Sequence, residues 1–261
     1  MNTTPIYHTE HIRQIEEYLL SLEPQPQLME LAGKTIADIT VKVATDQTQS
    51  ILVIAGPGNN GGDAYVAARH LKESNFNVTV VEPIKQDSVS PEKKNAIIKW
   101  KEIGGTTENI INDDQSYDVV IDGLFGIGLK RAISGAISKL IQRINNQRSK
   151  VISIDIPSGL NASTGDIMGS CIKADHTVTF LGYKVGLHTG QGPDYSGTVH
   201  FSDLTMSDHP RIENHGYLIG SDVLENVLAP REKSSHKGTY GQLAIIGGSE
   251  GMVGAALLSG R

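Results

Sequence analysis

One stretch, Ile51 to Leu71 (ILVIAGPGNNGGDAYVAARHL), constrains the fold of this chain more than any other. Its first five residues are apolar without a break, the pattern of a parallel strand buried on both faces. G-P-G-N-N-G-G-D follows, and then Ala64, Ala67, Ala68 and Leu71 recur at helical spacing. A strand that turns through glycines straight into a helix builds an anion site, because the free N–H groups and the dipole of the helix start both favour negative charge. Glycines permit positive φ and let a ligand approach the backbone closely.

Gly56, Gly58 and Gly61 also spell G-x-G-x-x-G, and Glu82 follows the next apolar run, Val78 to Val81. That is the form of a dinucleotide-binding turn with an acid for the ribose. Two features oppose the ordinary version. Asn59-Asn60 is unusually polar, and Asp63 is expected in the first helical turn, where a pyrophosphate would feel its charge; capping the helix is the plainer role for that carboxylate. No Lys-Ser or Lys-Thr follows the glycines, which excludes a Walker A loop.

The rest of the chain repeats the strand–helix alternation. Ile6, Ile12, Ile15, Leu19 and Leu22 predict a helix over 6–22, broken by Glu23-Pro24-Gln25-Pro26. Leu28, Leu31, Ile36, Ile39 and Val43 predict a second helix. These two helices either cover a sheet or present a partner surface. Strands are expected at Val78–Val81, Tyr117–Asp122, Val151–Asp155, Thr177–Leu181 and Gly197–Phe201, with helices at Pro91–Ile103 and Ser134–Asn146. The order implies a parallel sheet with helices on both faces.

Composition narrows the function. A net charge of −6 with no basic block speaks against nucleic acid. One cysteine, Cys171, excludes an internal disulfide and a cysteine metal cluster. No apolar run reaches membrane-spanning length, and the first twenty residues lack a secretory pattern, so the expected location is cytoplasmic.

In an open α/β sheet the ligand sits beyond the carboxyl ends of the strands. The loops Gly56–Asp63, Asp122–Arg131 and Asp155–Asn161 should therefore meet at one edge. Asp122 and Asp155 end their strands there, as site carboxylates or as turn caps. If Asn60, Asp122 and Ser158 converge, they offer only oxygens, and one carboxylate among neutral oxygens suits a monovalent cation better than Ca²⁺; Asn60 and Ser158 otherwise serve loop backbone groups. Lys130, Arg131 and Lys184 are candidates for local positive charge toward a phosphate, or solvated loop residues. His8 and His11 lack an evident third metal ligand. No G-x-S-x-G elbow is present, so Ser158 has no claim as a nucleophile.

Three ordered motifs, G-P-G-N-N-G-G-D-A-Y-V-A-A-R-H-L, D-G-L-F-G-I-G-L-K-R and V-I-S-I-D-I-P-S-G-L-N-A-S-T-G, resemble the YjeF N-terminal domain, the NAD(P)H-hydrate epimerase family. The likeness runs from about Tyr7 to about Leu228. It implies a three-layer αβα Rossmann-like sandwich with a mostly parallel central sheet, interconversion of the R and S forms of NADHX and NADPHX, and a bound K⁺. By motif, Asn60, Asp122 and Ser158 would hold the K⁺. Asn59, Asn60, Gly61, Gly62, Asp63, the loop Gly126, Ile127, Gly128, Leu129, Lys130, Arg131, Ala132, and Asp155 would contact the hydrated nucleotide. The tail, S-H-K-G-T-Y-G-Q-L-A-I-I-G-G-S-E-G-M-V-G-A-A-L-L-S-G, resembles the opening of a ribokinase-like NAD(P)H-hydrate dehydratase domain. The expected domains are thus 1–228, the epimerase, and 229–261, the incomplete start of the dehydratase, with a strand expected at Leu243–Ile246.

Hydrated NADH is a hemiaminal. Its ring nitrogen can help expel the neighbouring hydroxyl, and water can return on the other face; opening the ring at that bond is an alternative route. Asp155 is the candidate catalytic carboxylate. The expected partners are the small-molecule substrate and a second copy in a homodimer, with no nucleic acid and no membrane. The competing readings are a dehydrogenase using Glu82 on a ribose, and a non-catalytic nucleotide-binding module.

Overall fold

A computed structural model of the chain describes residues 4–86, 88–111, 115–204, 212–220, 232–236, 238–239, 242 and 244–260. The elements are β1 (Thr4–Tyr7), α1 (Thr9–Leu20), α2 (Leu28–Val43), β2 (Ser50–Ala55), α3 (Asn59–Glu73), β3 (Asn77–Val81), α4 (Pro91–Glu102), β4 (Thr107–Glu108), β5 (Val119–Gly123), α5 (Gly135–Asn145), β6 (Lys150–Ile154), β7 (His176–Phe180), β8 (Tyr183–Lys184), a 3-10 turn at Val185–Leu187, α6 (Gly192–Ser196), β9 (Thr198–Ser202) and β10 (Gly216–Leu218).

Seven strands form one sheet in the order β4-β3-β2-β5-β6-β7-β9, and every pairing in it is parallel. Alternation along β2 explains the three layers. Ile51, Val53 and Ala55 pack into one core with Ile15 and Leu19 of α1, Ile36 of α2 and Leu71 of α3. Leu52 and Ile54 point the other way, into a core with Ile141 and Ile144 of α5. The fold is therefore a three-layer αβα Rossmann-like sandwich. Helices α1 and α2 cover the sheet with one apolar face each.

The chain steps outward from β2 through β3 to β4, then returns to β5 on the other side and steps through β6 and β7 to β9. The strand order reverses between β2 and β5, so the loops after Ala55 and Gly123 diverge and leave a crevice at their carboxyl ends. Two glycines let these loops close on each other. A Cβ on Gly56 would lie 1.6 Å from Leu124 O, and one on Gly61 would lie 1.9 Å from Gly56 O.

Three features differ from expectation. The helix expected over 6–22 begins at Thr9, because Thr4–Ile6 pair antiparallel with β10 and Ile6–Tyr7 pair with β8, in a second, three-stranded sheet. Helix α3 begins at Asn59, so Asp63 lies in its second turn and caps nothing. Ala244–Ile246 carry no strand, while Leu243 falls outside the described residues. The chain divides into compact units at Leu218/Ile219; the expected boundary at 228/229 also falls outside the described residues. The second unit contains a six-residue helix, Gly254–Ser259. Among the described residues, no helix is long and apolar enough to cross a membrane.

Gly56→Ala is expected to cost about 3 kcal/mol or more, a fall in Tm of roughly 6–12 °C. Gly58, whose Cβ would meet nothing within 4 Å, is the control, and Gly58→Ala should stay within about 1 kcal/mol of the parent. Equal melting of the two variants would show that the close approach of Gly56 to Leu124 does not matter.

Candidate active site

Strand register places the first acid. Asp122 pairs with Ile54 on one side and Ser153 on the other. It is fully buried yet has donors on both oxygens. Oδ2 accepts from Ser153 Oγ and from Ser158 N, both at 2.8 Å. Oδ1 accepts from Ser158 Oγ at 2.6 Å and Leu124 N at 3.2 Å. Burial raises its pKa and these bonds oppose the shift. Ser158 Oγ also accepts from Phe125 N at 2.8 Å. The end of β5, the end of β6 and the turn after β6 are thereby tied to one carboxylate.

The second acid is turned out of its strand. Asp155 follows β6 with φ at +65°, a left-handed conformation that Asp tolerates better than most residues. Its N–H donates to Val178 O at 2.7 Å, and its Oδ1 accepts from Phe180 N at 3.2 Å. The same oxygen accepts from Lys184 Nζ. Lys184 is fully buried and also donates to Phe180 O at 2.7 Å. Burial lowers its pKa and the charge of Asp155 opposes the shift. A phosphate role for Lys184 is thereby corrected: its charge is spent inside the protein on Asp155.

The crevice at the switch point opens into a cavity of about 990 Å³. Asn59, Asn60, Asp63, Gly126, Ile127, Gly128, Leu129 and Asp155 all line it. Lys130 lines an adjoining cavity of about 260 Å³ with Arg13. Arg131 and Ala132 are exposed beyond both. Gly61 and Gly62 are buried packing positions: a Cβ on Gly62 would meet Met29 Sδ at 2.6 Å. Asp122 and Ser158 lie fully buried behind the wall. Asn60 brings its side chain to the cavity, and its Nδ2 is buried with no hydrogen-bond partner among the described residues.

One cavity residue had no signal in the motifs. Glu16 comes from α1, and its pKa is raised by burial first and then by the charge of Asp155. Asp63 is pushed well above the ordinary carboxylate range, by burial first and then by Asp155 and Glu16. Around this cavity the three carboxyl groups of Glu16, Asp63 and Asp155 act on one another, with the buried ammonium of Lys184 beside Asp155.

Glu82 is taken. Its Oε1 accepts from the buried Lys93 Nζ at 2.6 Å, and its Oε2 accepts from Tyr65 Oη at 3.2 Å. Lys93 also donates to Gly56 O at 2.8 Å. The acid that a dinucleotide turn would keep for a ribose instead helps fasten that turn.

A family model described as YjeF-related protein N-terminus matches residues 25–186. Curated relatives include the bifunctional NAD(P)H-hydrate repair enzyme of Leishmania major, 37% identical over 243 residues, covering 89% of this chain and 43% of that protein. The bifunctional NAD(P)H-hydrate repair enzyme Nnr of Vibrio cholerae is 36% identical, covering 98% of this chain and 52% of that protein. Its namesake in Escherichia coli is 37% identical, covering 90% and 46%. This chain thus spans about half the length of the curated relatives it matches. The crystal structure of yeast ynu0 superposes with a TM-score of 0.62 at 22% identity, covering 71% of this chain and 84% of that one, and supports the fold.

Breaking the Lys184–Asp155 pair from one side should be costly, because it leaves the other charge enclosed without its partner. Lys184→Met is expected to lose about 3–5 kcal/mol in urea unfolding, and adding Asp155→Asn should recover more than half of it. Simple addition of the two single-variant losses would show that the pair is not coupled.

Proposed function

The chain belongs to the family of YjeF-related protein N-termini, and on that premise we propose that it interconverts the R and S forms of hydrated NADH and NADPH. The observation that carries the reading is the Asp155–Lys184 pair on the wall of a cavity wide enough for a nucleotide. Epimerisation at a hemiaminal carbon creates and discharges a cationic ring. A carboxylate held in place beside that ring stabilises the cation and takes up the proton of the returning water. The polar turn Asn59–Asp63 and the loop Gly126–Ala132 would hold the nucleotide, and relatives named as NAD(P)H-hydrate repair enzymes support this substrate class.

A K⁺ fits the residues behind the wall. The side chain of Asn60 has no hydrogen-bond partner among the described residues, and turning its amide over points a bare oxygen where Nδ2 now lies. Ser158 Oγ has a second acceptor, Phe125 O at 3.1 Å, for its single proton, and so can free a lone pair beside Asp122. Asn60, Asp122 and Ser158 would hold the ion, and it would supply a charge to balance the buried carboxylate. The remaining parts of the reading are an epimerase domain over 1–228, the opening of a ribokinase-like dehydratase domain over 229–261, a homodimer and a cytoplasmic location.

The decisive assay is epimerisation of purified (R)-NADHX, followed by NMR. Asp155→Asn keeps the shape but cannot take a proton at neutral pH, and kcat should fall by about 10²–10⁴-fold. Near-parental turnover in the folded variant would remove Asp155 from the chemistry.

An ion that binds only the folded chain raises its melting temperature; at about 100 times its Kd the gain is about 2.7 kcal/mol. Melting in K⁺ should therefore exceed melting in tetramethylammonium at matched ionic strength, and Asp122→Ala should erase the difference. Identical melting of the parent chain in both salts would count against the ion.

A further inference from the structure

We propose that Asp63 is the proton donor of the epimerisation and works opposite Asp155. The inference rests on the epimerase reading and assigns the second half of its acid–base chemistry.

The carboxyls of Asp63 and Asp155 line one cavity and have opposite surroundings. Asp155 receives a buried ammonium and a backbone N–H. Asp63, in the second turn of α3, has no hydrogen bond and no ion pair among the described residues. The cations lining the cavity act on other groups: Lys184 is held by Asp155, Lys99 by Glu30, and Arg13 acts on Glu16. What acts on Asp63 from other elements is the negative charge of Asp155 and of Glu16 on α1. Glu16 itself is relieved by Lys184 and Arg13, a relief Asp63 does not receive. Asp63 thus combines burial, two like charges and no cationic partner among the described residues, all of which favour its protonated form. The carboxyl without a cationic partner is placed to give a proton, and the one paired with an ammonium to receive it.

The chemistry then balances. Asp63 gives its proton to the hydroxyl oxygen of the hydrate. The carbon–oxygen bond breaks with its electron pair on oxygen, and water leaves. The lone pair of the ring nitrogen forms a carbon–nitrogen double bond, and the ring becomes a cation. Water adds to the opposite face, the double-bond pair returns to nitrogen, and the surplus proton passes to Asp155. One proton has moved from Asp63 to Asp155. Passage of the other epimer in the reverse direction, or exchange with solvent, restores it.

The test is kcat against pH for the parent chain and Asp63→Asn, on (R)-NADHX. The parent should show an alkaline limb as Asp63 loses its proton. The variant should lose about 100-fold or more in kcat, with KM changed far less, and should lose the alkaline limb. An unchanged kcat, or a limb that survives in the variant and so belongs to Lys184, would overturn the proposal. Infrared difference spectra offer a readout independent of turnover. A protonated-carboxyl band present at neutral pH in the parent should be missing from Asp63→Asn, and its persistence would also overturn the proposal. An inactive parent chain, by contrast, would strike at the epimerase reading itself.

Discussion

A fully buried carboxylate holds the carboxyl edge of the sheet together. Asp122 accepts hydrogen bonds from Ser153, Ser158 and Leu124. Those donors come from β6, from the turn after β6 and from the loop after β5. Burying a carboxylate without such partners would cost several kcal/mol, so alternative conformations of these loops that break the set are strongly penalised. The loops that wall the cavity thus inherit their positions from a group that does not itself line it. The glycines act on the other side of the crevice: Gly56 and Gly61 remove the side chains that would hold the α3 turn away from Leu124.

Three aspartates at this edge illustrate how environment, rather than residue type, assigns a role. Asp122 has hydrogen-bond donors and serves the scaffold. Asp155 has an ammonium and lines the cavity, where the proposed reaction uses it as the base. Asp63 has neither among the described residues and lines the same cavity, where it is the proposed acid. The sheet supplies these differences: Ser153 is beside Asp122 because β5 and β6 pair in register, and Lys184 reaches Asp155 because β8 follows directly on β7.

The large sheet was legible in the sequence because buried parallel strands leave apolar runs such as Ile51–Ala55, which runs straight into helical periodicity, and Val151–Ile154, interrupted by Ser153. The three strand-end loops were legible for the same reason, since their strands place them. The three-stranded sheet was not. β1, β8 and β10 are four, two and three residues long, too short for a period to show. The start of α3 was misplaced because Asn59 to Gly62 are poor helix formers, and packing against α2 and Gly56 decides their conformation. Lys184 looked like a solvated loop lysine because its partner is distant in sequence, and the apolar run around it belongs to two separate strands. Glu16 could not be told from the other glutamates of an amphipathic helix until the sheet fixed which way the helix faces.

The small sheet explains how that helix is fixed. Tyr7 pairs with Lys184 and Ile6 with Tyr183, so the strand that carries the buried ammonium is the neighbour of the strand that leads into α1. His215 donates its N–H to Ile6 O at 2.9 Å and helps hold β1 from its other side. One residue after β1 the chain enters α1, whose Ile12, Ile15 and Leu19 lock into the main core. The remaining turn of freedom is gone, and Glu16 faces the cavity next to the pair it acts on. Moving β1 by one register would turn its side chains to the other face and shift both Glu16 and the neighbour of Lys184 together. The balance of charge around Asp63 and Asp155 therefore depends on a pairing of a few residues far from the glycine motifs that first mark the site.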